Sequence, residues 1–308
     1  MARRRRGRPI NGILVLDKPL GDSSNRALQV AKRIFFAAKA GHTGSLDPLA
    51  TGVLPICFGE ATKFSQYLLD SDKAYLSTFT LGITTASGDA EGDELSRTDA
   101  SALTEADVLS ALEQFRGEIE QTPSMFSALK HNGQPLYKLA RQGKEVERKV
   151  RRVTIYALEL KAFRAGEHPE VDVYVSCSKG TYIRSIAEDL GKTLSCGGHV
   201  SALRRVKAGP FTEQHQVTIE QLEALRQEDN FEQLDALLQP ADLALEDMPQ
   251  ITLDEHSASY LLLGQPVMAL QGPITGEVKI FHESGDFLGV GEMLDDGRVA
   301  PKRLIATN

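Results

Sequence analysis

The sequence predicts an α+β protein: a mixed, largely antiparallel sheet carrying an insertion, followed by a small β-rich domain. Three observations predict it. Strand-like and helix-like patterns alternate irregularly, without the strand–helix–strand rhythm of a parallel sheet. Residues 123–152 interrupt those patterns with Gly133, Pro135 and Gly143 among scattered aromatics and cations. From about residue 249 the chain breaks into short strands separated by Gly272-Pro273, Ser284-Gly285 and Asp296-Gly297, the punctuation of a β-rich unit.

The elements follow in order. Residues 12–19 read as a short buried strand running into the Lys18-Pro19 turn, and Ser23 or Ser24 caps a helix over 25–37. A glycine-rich loop spans 41–52. Strand patterns then occupy 53–57, 73–81, 154–163 and 170–177, while helical spacing appears at 104–115, 182–193 and 219–225. Composition changes near Gln239-Pro240. The main domain is therefore expected over 1–240, with 123–152 inserted, and the second over 249–308, a size at which a domain can fold alone.

With 308 residues, 41% hydrophobic and 25% charged, the chain has a globular composition. No apolar run approaches a membrane span, and no apolar segment stands behind the arginine-rich start, so a cytoplasmic protein is expected. Cys57, Cys177 and Cys196 are far apart and odd in number, which points to buried reduced thiols and indicates neither a disulfide framework nor a metal site. Net charge is −7, but it is polarised. The start carries Arg3, Arg4, Arg5, Arg6 and Arg8 without an acid, and 123–152 carries Lys130, Lys138, Arg141, Lys144, Arg148, Lys149, Arg151 and Arg152 against Glu145 and Glu147. Residues 213–255 hold twelve acids, Asp229 among them, against Arg226. Such a molecule can steer a polyanion to one face although its total is acidic.

The loop Gly41-His-Thr-Gly-Ser-Leu-Asp-Pro-Leu-Ala-Thr-Gly52 holds one carboxylate, Asp47. Glycines allow close approach of a ligand, and Pro48 disfavours helical geometry at Asp47. The plain reading is a tight turn in which Asp47 bonds its own backbone. The functional reading is a rigid bend presenting an acid.

The rest of the chain favours the second reading, because its motifs resemble the TruB-type tRNA pseudouridine synthases over nearly the whole length. Those motifs are Leu16-Asp-Lys-Pro19, the Asp47 loop continuing to Pro55, Gly59-Glu-Ala-Thr-Lys63, Lys73 with Tyr75, Pro123-Ser-Met-Phe-Ser-Ala-Leu-Lys130, Cys177-Ser-Lys-Gly-Thr-Tyr-Ile-Arg184 and Leu203-Arg-Arg205. Phe126 stands where many relatives have tyrosine, which removes one hydroxyl and keeps the aromatic face. The resemblance implies isomerisation of the uridine at position 55 in the tRNA T-loop. It also implies that 123–152 is an RNA-gripping thumb and that the C-terminal unit is a PUA-like RNA-binding domain. Asp47 is implied as the catalytic nucleophile and Arg184 as its partner, an arrangement that typically lowers an Asp pKa by about 1 to 3. Tyr75 is implied to lie against the target base, Tyr182 and Leu203 to line its pocket, and His42 to occupy the RNA-facing side of the loop. The reaction needs neither redox cofactor nor energy source, so no cofactor and no metal are expected. The expected partner is the T-arm of tRNA, with no membrane and no obligate protein partner.

Two rival readings compete with this one. Asp47 with a second acid such as Asp89 could serve a glycoside hydrolase, which needs two carboxylates flanking a sugar bond, but the chain has no tryptophan and its clustered cations suit phosphates. A non-enzymatic tRNA-binding or tRNA-folding module fits everything except the set of Asp47, Tyr75 and Arg184.

Overall fold

The computed structural model describes residues 7–127, 129–140, 142–228, 230–269 and 274–306. Arg3 to Arg6, Arg141, Asp229 and the Gly272-Pro273 turn lie outside the described residues, as does the side chain of Lys130.

The chain opens with β1 (Gly12–Lys18), whose consecutive apolar residues are buried because both faces of the strand are covered. Ser23 is the cap of α1 (Ser24–Ile34), its side chain accepting from the Arg26 amide. The helix stops short of residue 37, because Phe36 adopts a left-handed φ of 49°. Both ends of the expected 41–52 loop are strand, β2 (Ala40–His42) and β3 (Ala50–Phe58), so the loop proper is 43–49. Next come α2 (Ser65–Asp70), β4 (Lys73–Leu81) and a hairpin of β5 (Ile83–Thr85) with β6 (Glu94–Arg97). A capping box of Thr104 and Asp107 starts α3 (Glu105–Leu112), which leads to β7 (Gly117–Gln121).

The insertion forms a two-residue ladder of β8 (Lys130–His131) with β9 (Gln134–Pro135), followed by α4 (Leu136–Ala140). Met125, Leu136 and Leu139 give it a small core of its own. It ends earlier than expected, because Arg151 and Arg152 already belong to β10 (Arg151–Arg164). Since β7 and β10 pair with each other, the insertion projects from one end of an antiparallel pair.

The main domain continues through β11 (Glu170–Cys177), α5 (Ile183–Thr193), β12 (Gly198–Ala208), β13 (Phe211–Thr212), α6 (Ile219–Gln227) and α7 (Phe231–Ala236). Its sheet runs β1-β3-β12-β4-β11-β10-β7, with β2 added on β3 and β13 on β12. Within it β12 and β3 are parallel and the other pairs antiparallel, the mixed, largely antiparallel sheet that was expected. Its central strand β12 is absent from the sequence reading because Arg204, Arg205 and Lys207 mask its alternation.

The C-terminal unit holds β14 (Gln250–Leu253), α8 (Glu255–Leu262), β15 (Val267–Met268), β16 (Gly276–His282), β17 (Phe287–Met293) and β18 (Arg298–Leu304). It forms a sheet of order β14-β16-β17-β18-β15 around Ile251, Leu253, Val278, Ile280 and Val299. A tilted contact of the Phe64 and Phe287 rings, with centroids 5.3 Å apart, and a bond of 2.7 Å from the Tyr67 hydroxyl to Glu277 dock it on the main domain. Among the described residues no helix is long and apolar enough to cross a membrane.

Candidate active site

The 43–49 loop is clamped from three sides. The Ser24 hydroxyl accepts from the Leu46 amide at 2.7 Å and donates to the Leu46 carbonyl at 3.0 Å. The Thr43 amide bonds the Pro55 carbonyl of β3 at 3.0 Å. Lys18, fully buried at the end of β1, donates to the carbonyls of Pro19 at 2.8 Å, Asp22 at 2.5 Å and Pro48 at 3.4 Å. The Asp47 carbonyl accepts from the Ala50 amide at 3.0 Å, which closes the turn with main chain and leaves the carboxylate free to point elsewhere.

That carboxylate meets Arg184, with Oδ2 lying 3.0 Å from Nη2. Arg184 sits in the first turn of α5 and is 5% exposed. Its Nη1 donates to Asp89 Oδ2 at 3.1 Å and to the Ser87 carbonyl at 3.0 Å, while Nη2 also reaches the Phe126 carbonyl of the insertion at 3.2 Å. Asp89 is buried behind the guanidinium and accepts from the Ser87 hydroxyl and the Glu91 amide. It therefore does not face the cleft opposite Asp47, as the second acid of a glycoside hydrolase must.

Tyr75 on β4 and Leu203 on β12 stand on neighbouring strands whose register places Leu203 opposite Ser77 and Arg205 opposite Tyr75. Tyr182 immediately precedes α5. The Gln121 side chain fixes its backbone, accepting from the Tyr182 amide at 2.9 Å and donating to its carbonyl at 3.2 Å. Asp47, Tyr75, Tyr182, Arg184 and Leu203 all line one cavity of about 410 Å³, together with Lys73 and Arg205. This is the size of a small-ligand site. Among its described lining residues Asp47 is the one carboxylate. His42 is not among them; it lies on β2, with Nδ1 buried and unpartnered.

Burial decides the electrostatics. It pushes the Asp47 carboxyl above the usual range, outweighing the opposing charge of Arg184, and Asp89 adds to the rise. The sign is thus opposite to the lowering expected from the arginine alone. Burial and then Arg205 hold the His42 imidazole below its ordinary value, in the neutral form at pH 7. Lys73 donates to the carbonyls of Leu68 at 3.0 Å, Leu69 at 2.9 Å and Ser71, closing α2, and burial brings its ammonium down to about 8. Burial raises the Cys57 thiol to about 12 and Cys177 to about 11, so both stay protonated.

Sequence reasoning gave no site role to Lys18, Lys73, Gln121 or Arg205, named Ser24 only as a helix cap, and took Asp89 only as a rival acid. Lys18, Lys73 and Arg205 lay inside the motifs. Their signal was a cation within an otherwise apolar strand, which is buried only when paired or bonded.

The description "TruB family pseudouridylate synthase (N terminal domain)" matches residues 32–183, "tRNA pseudouridylate synthase B C-terminal domain" matches 184–246, and "Pseudouridine synthase II TruB, C-terminal" matches 249–305. The tRNA pseudouridine synthase B of Saccharophagus degradans is 58% identical over 99% of this chain and 98% of its own length. The chain belongs to the TruB family of pseudouridylate synthases. A second TruB relative, the tRNA pseudouridine synthase B of Pseudomonas aeruginosa, is 56% identical over 97% of each chain. The fold is also that of a chain in a solved Cbf5-Nop10-Gar1 complex, with a TM-score of 0.72 and 26% identity over 95% of this chain and 84% of that one. An H/ACA RNP bound to a substrate RNA contains a chain that is 23% identical, with a TM-score of 0.73, and shares the fold alone.

Proposed function

We propose that this TruB-family chain isomerises uridine to pseudouridine in the T-loop of tRNA, with Asp47 as nucleophile. The observation that carries the reading is the pairing at the cavity floor, where the one lining carboxylate, Asp47, is held by the buried Arg184. The reaction breaks the ribose C1′ to uracil N1 bond, joins C1′ to C5, releases the C5 proton and protonates N1. It is redox-neutral, and one ionised carboxylate supplies the nucleophile.

Tyr75, Tyr182 and Leu203 offer flat and apolar walls for a base turned out of the RNA stack, whose unstacking costs a few kcal/mol. Stacking on an aromatic side chain offsets about 1 to 3 kcal/mol of that. His42, which does not line the cavity, fits a contact with RNA outside it. The insertion supplies a thumb over the cavity, since the Phe126 carbonyl already accepts from Arg184. The five-stranded C-terminal unit adds a PUA-like second RNA contact.

The test is tritium release from tRNA labelled at uracil C5. Release by the wild-type chain and its loss in Asp47→Asn are expected. A wild-type chain that binds tRNA without releasing tritium is a binder, and the isomerase reading falls.

A further inference from the structure

Arg205 is 1% exposed and is the largest side chain that the interior encloses fully. No carboxylate among the described residues pairs with it. Its Nε donates to the Val53 carbonyl of β3 at 2.7 Å and its Nη2 to the Gly44 carbonyl at 3.2 Å. Among the described residues it also interacts with the Tyr75 phenol, which stands directly opposite it in the sheet. A cation without a counter-ion is expensive to bury, and two main-chain carbonyls alone do not require one.

The chemistry of the pair is one-sided. A guanidinium has only donors, whereas a phenol can both donate and accept. Between the two groups only the Tyr75 oxygen can accept, which leaves the phenol hydrogen free to donate into the cavity that Tyr75 lines. The same guanidinium holds Gly44 at the start of the Asp47 loop, and in the sheet Arg205 lies opposite both Tyr75 of β4 and Gly52 of β3.

We infer that Arg205 is a positioning residue for the isomerisation. It aims the Tyr75 O–H into the cavity as a donor to a carbonyl acceptor of the bound base, and it locks that phenol in register with the loop bearing Asp47. The inference rests on the isomerase reading above. Burial raises the Tyr75 pKa and Arg205 opposes that rise, which fits a phenol kept as a directed donor.

A double-mutant cycle tests it. Tritium release from C5-labelled tRNA gives kcat and KM for the wild type, Tyr75→Phe, Arg205→Gln and the double variant, with circular dichroism on each. Each single change is expected to lower kcat about ten-fold or more with KM within about three-fold, as for a lost oriented donor. The double variant should be within about three-fold of Arg205→Gln, because Arg205 acts through Tyr75. Arg205→Lys should recover part of the loss.

Losses that multiply in the double variant overturn the inference, as does a fall in activity that only follows the folded fraction. If Arg205→Gln does not fold, the cycle is run with Arg205→Lys. If that also fails to fold, Tyr75→Phe alone decides, and an unchanged kcat overturns the directed donor. A wild type that releases no tritium sinks the isomerase reading itself, whereas an active wild type with multiplicative losses sinks only the role of Arg205.

Discussion

Asp47 and Arg184 lie 3.0 Å apart, yet the Asp47 carboxyl titrates above the ordinary carboxylate range because burial outweighs the arginine. The ion pair does not make the acid stronger than a free one. It limits how much weaker burial makes it, and Asp89, 3.1 Å from the other terminal nitrogen of the same guanidinium, holds Arg184 in place. With Asp89 there, the orientation of Arg184 does not depend on Asp47.

Removing Arg184 should therefore move the Asp47 titration further up. In Arg184→Gln the larger opposing charge is gone, and burial and Asp89 are countered only by the weaker pull of Lys18, so the titration should move upward. Carbon-13 NMR of the aspartate carboxyls, with Asp47 assigned from Asp47→Asn, reads this without needing activity. A downward shift would show that Arg184 is not the main cation acting on Asp47.

In the wild type the same elevation gives activity an acid limb above the ordinary Asp range, since only the ionised carboxylate is a nucleophile. Stability runs the other way. A carboxyl whose pKa is raised by folding contributes most below its unfolded value, and the contribution is lost as pH rises through the folded value. Asp47→Asn should abolish tritium release while leaving stability at pH 7 unchanged or up to about 1 kcal/mol higher, a small effect because the side chain is partly exposed. Urea unfolding at pH 7 checks it, and marked destabilisation would mean that the ionised carboxylate holds the loop.

Much of this site could be read from the chain. The Asp47 loop, Tyr75, Tyr182, Arg184 and Leu203 do converge on one cavity, and the strands at 73–81 and 170–177 were legible because their alternation is clean. What stayed hidden has a common cause. Lys18 and Arg205 bond main-chain carbonyls far away in the sequence, which no local pattern encodes, and Lys73 bonds the carbonyls that close the preceding helix. Strand β12 was lost because its buried face includes Arg205, and the helix α8 because Glu255, His256 and Ser257 mask its apolar spacing. His42 sits outside the cavity because β2 pairs with β3 and turns residue 42 into a strand position.

The clamp of Ser24 on Leu46 predicts a loss in both stability and turnover. Ser24→Ala leaves the buried Leu46 amide and carbonyl without their partner, and an unsatisfied buried group costs about 1 to 3 kcal/mol. Urea unfolding should show about 2 kcal/mol, with kcat falling while KM changes little. Unchanged kcat in the folded variant would show that the loop holds its shape without Ser24.

Gly52 and Gly41 bracket the Asp47 loop and should respond differently to alanine. At Gly52, φ is +98° and a Cβ would lie 2.2 Å from the Arg205 carbonyl oxygen, so Gly52→Ala should cost at least about 2 kcal/mol through strain and displacement of β12. At Gly41 a Cβ meets nothing within 4 Å, and Gly41→Ala should stay within about 0.5 kcal/mol. Equal effects in thermal unfolding would contradict the close β3–β12 approach.

The last prediction concerns charge. The protein is acidic overall, yet Lys138, Lys144 and Lys149 are exposed on or beside the insertion, while Arg152 is paired with Glu118 and Glu120. Unpaired exposed lysines are the ones available to phosphates. Each phosphate neutralised contributes roughly −0.7 to −0.9 to the slope of log affinity against log salt. Reversing Lys138, Lys144 and Lys149 to Glu should weaken tRNA binding and flatten that slope by up to about 2 to 3. Reversing the exposed Glu223, Glu232 and Glu246 to Lys changes net charge by the same amount with opposite sign and should leave the slope nearly unchanged, because those residues lie in the acidic 213–255 block. Filter binding across a salt series reads both. Changes equal in size and opposite in sign in the two triple variants would mean that binding follows net charge, with no localised basic face, and would remove the insertion from the RNA-binding surface.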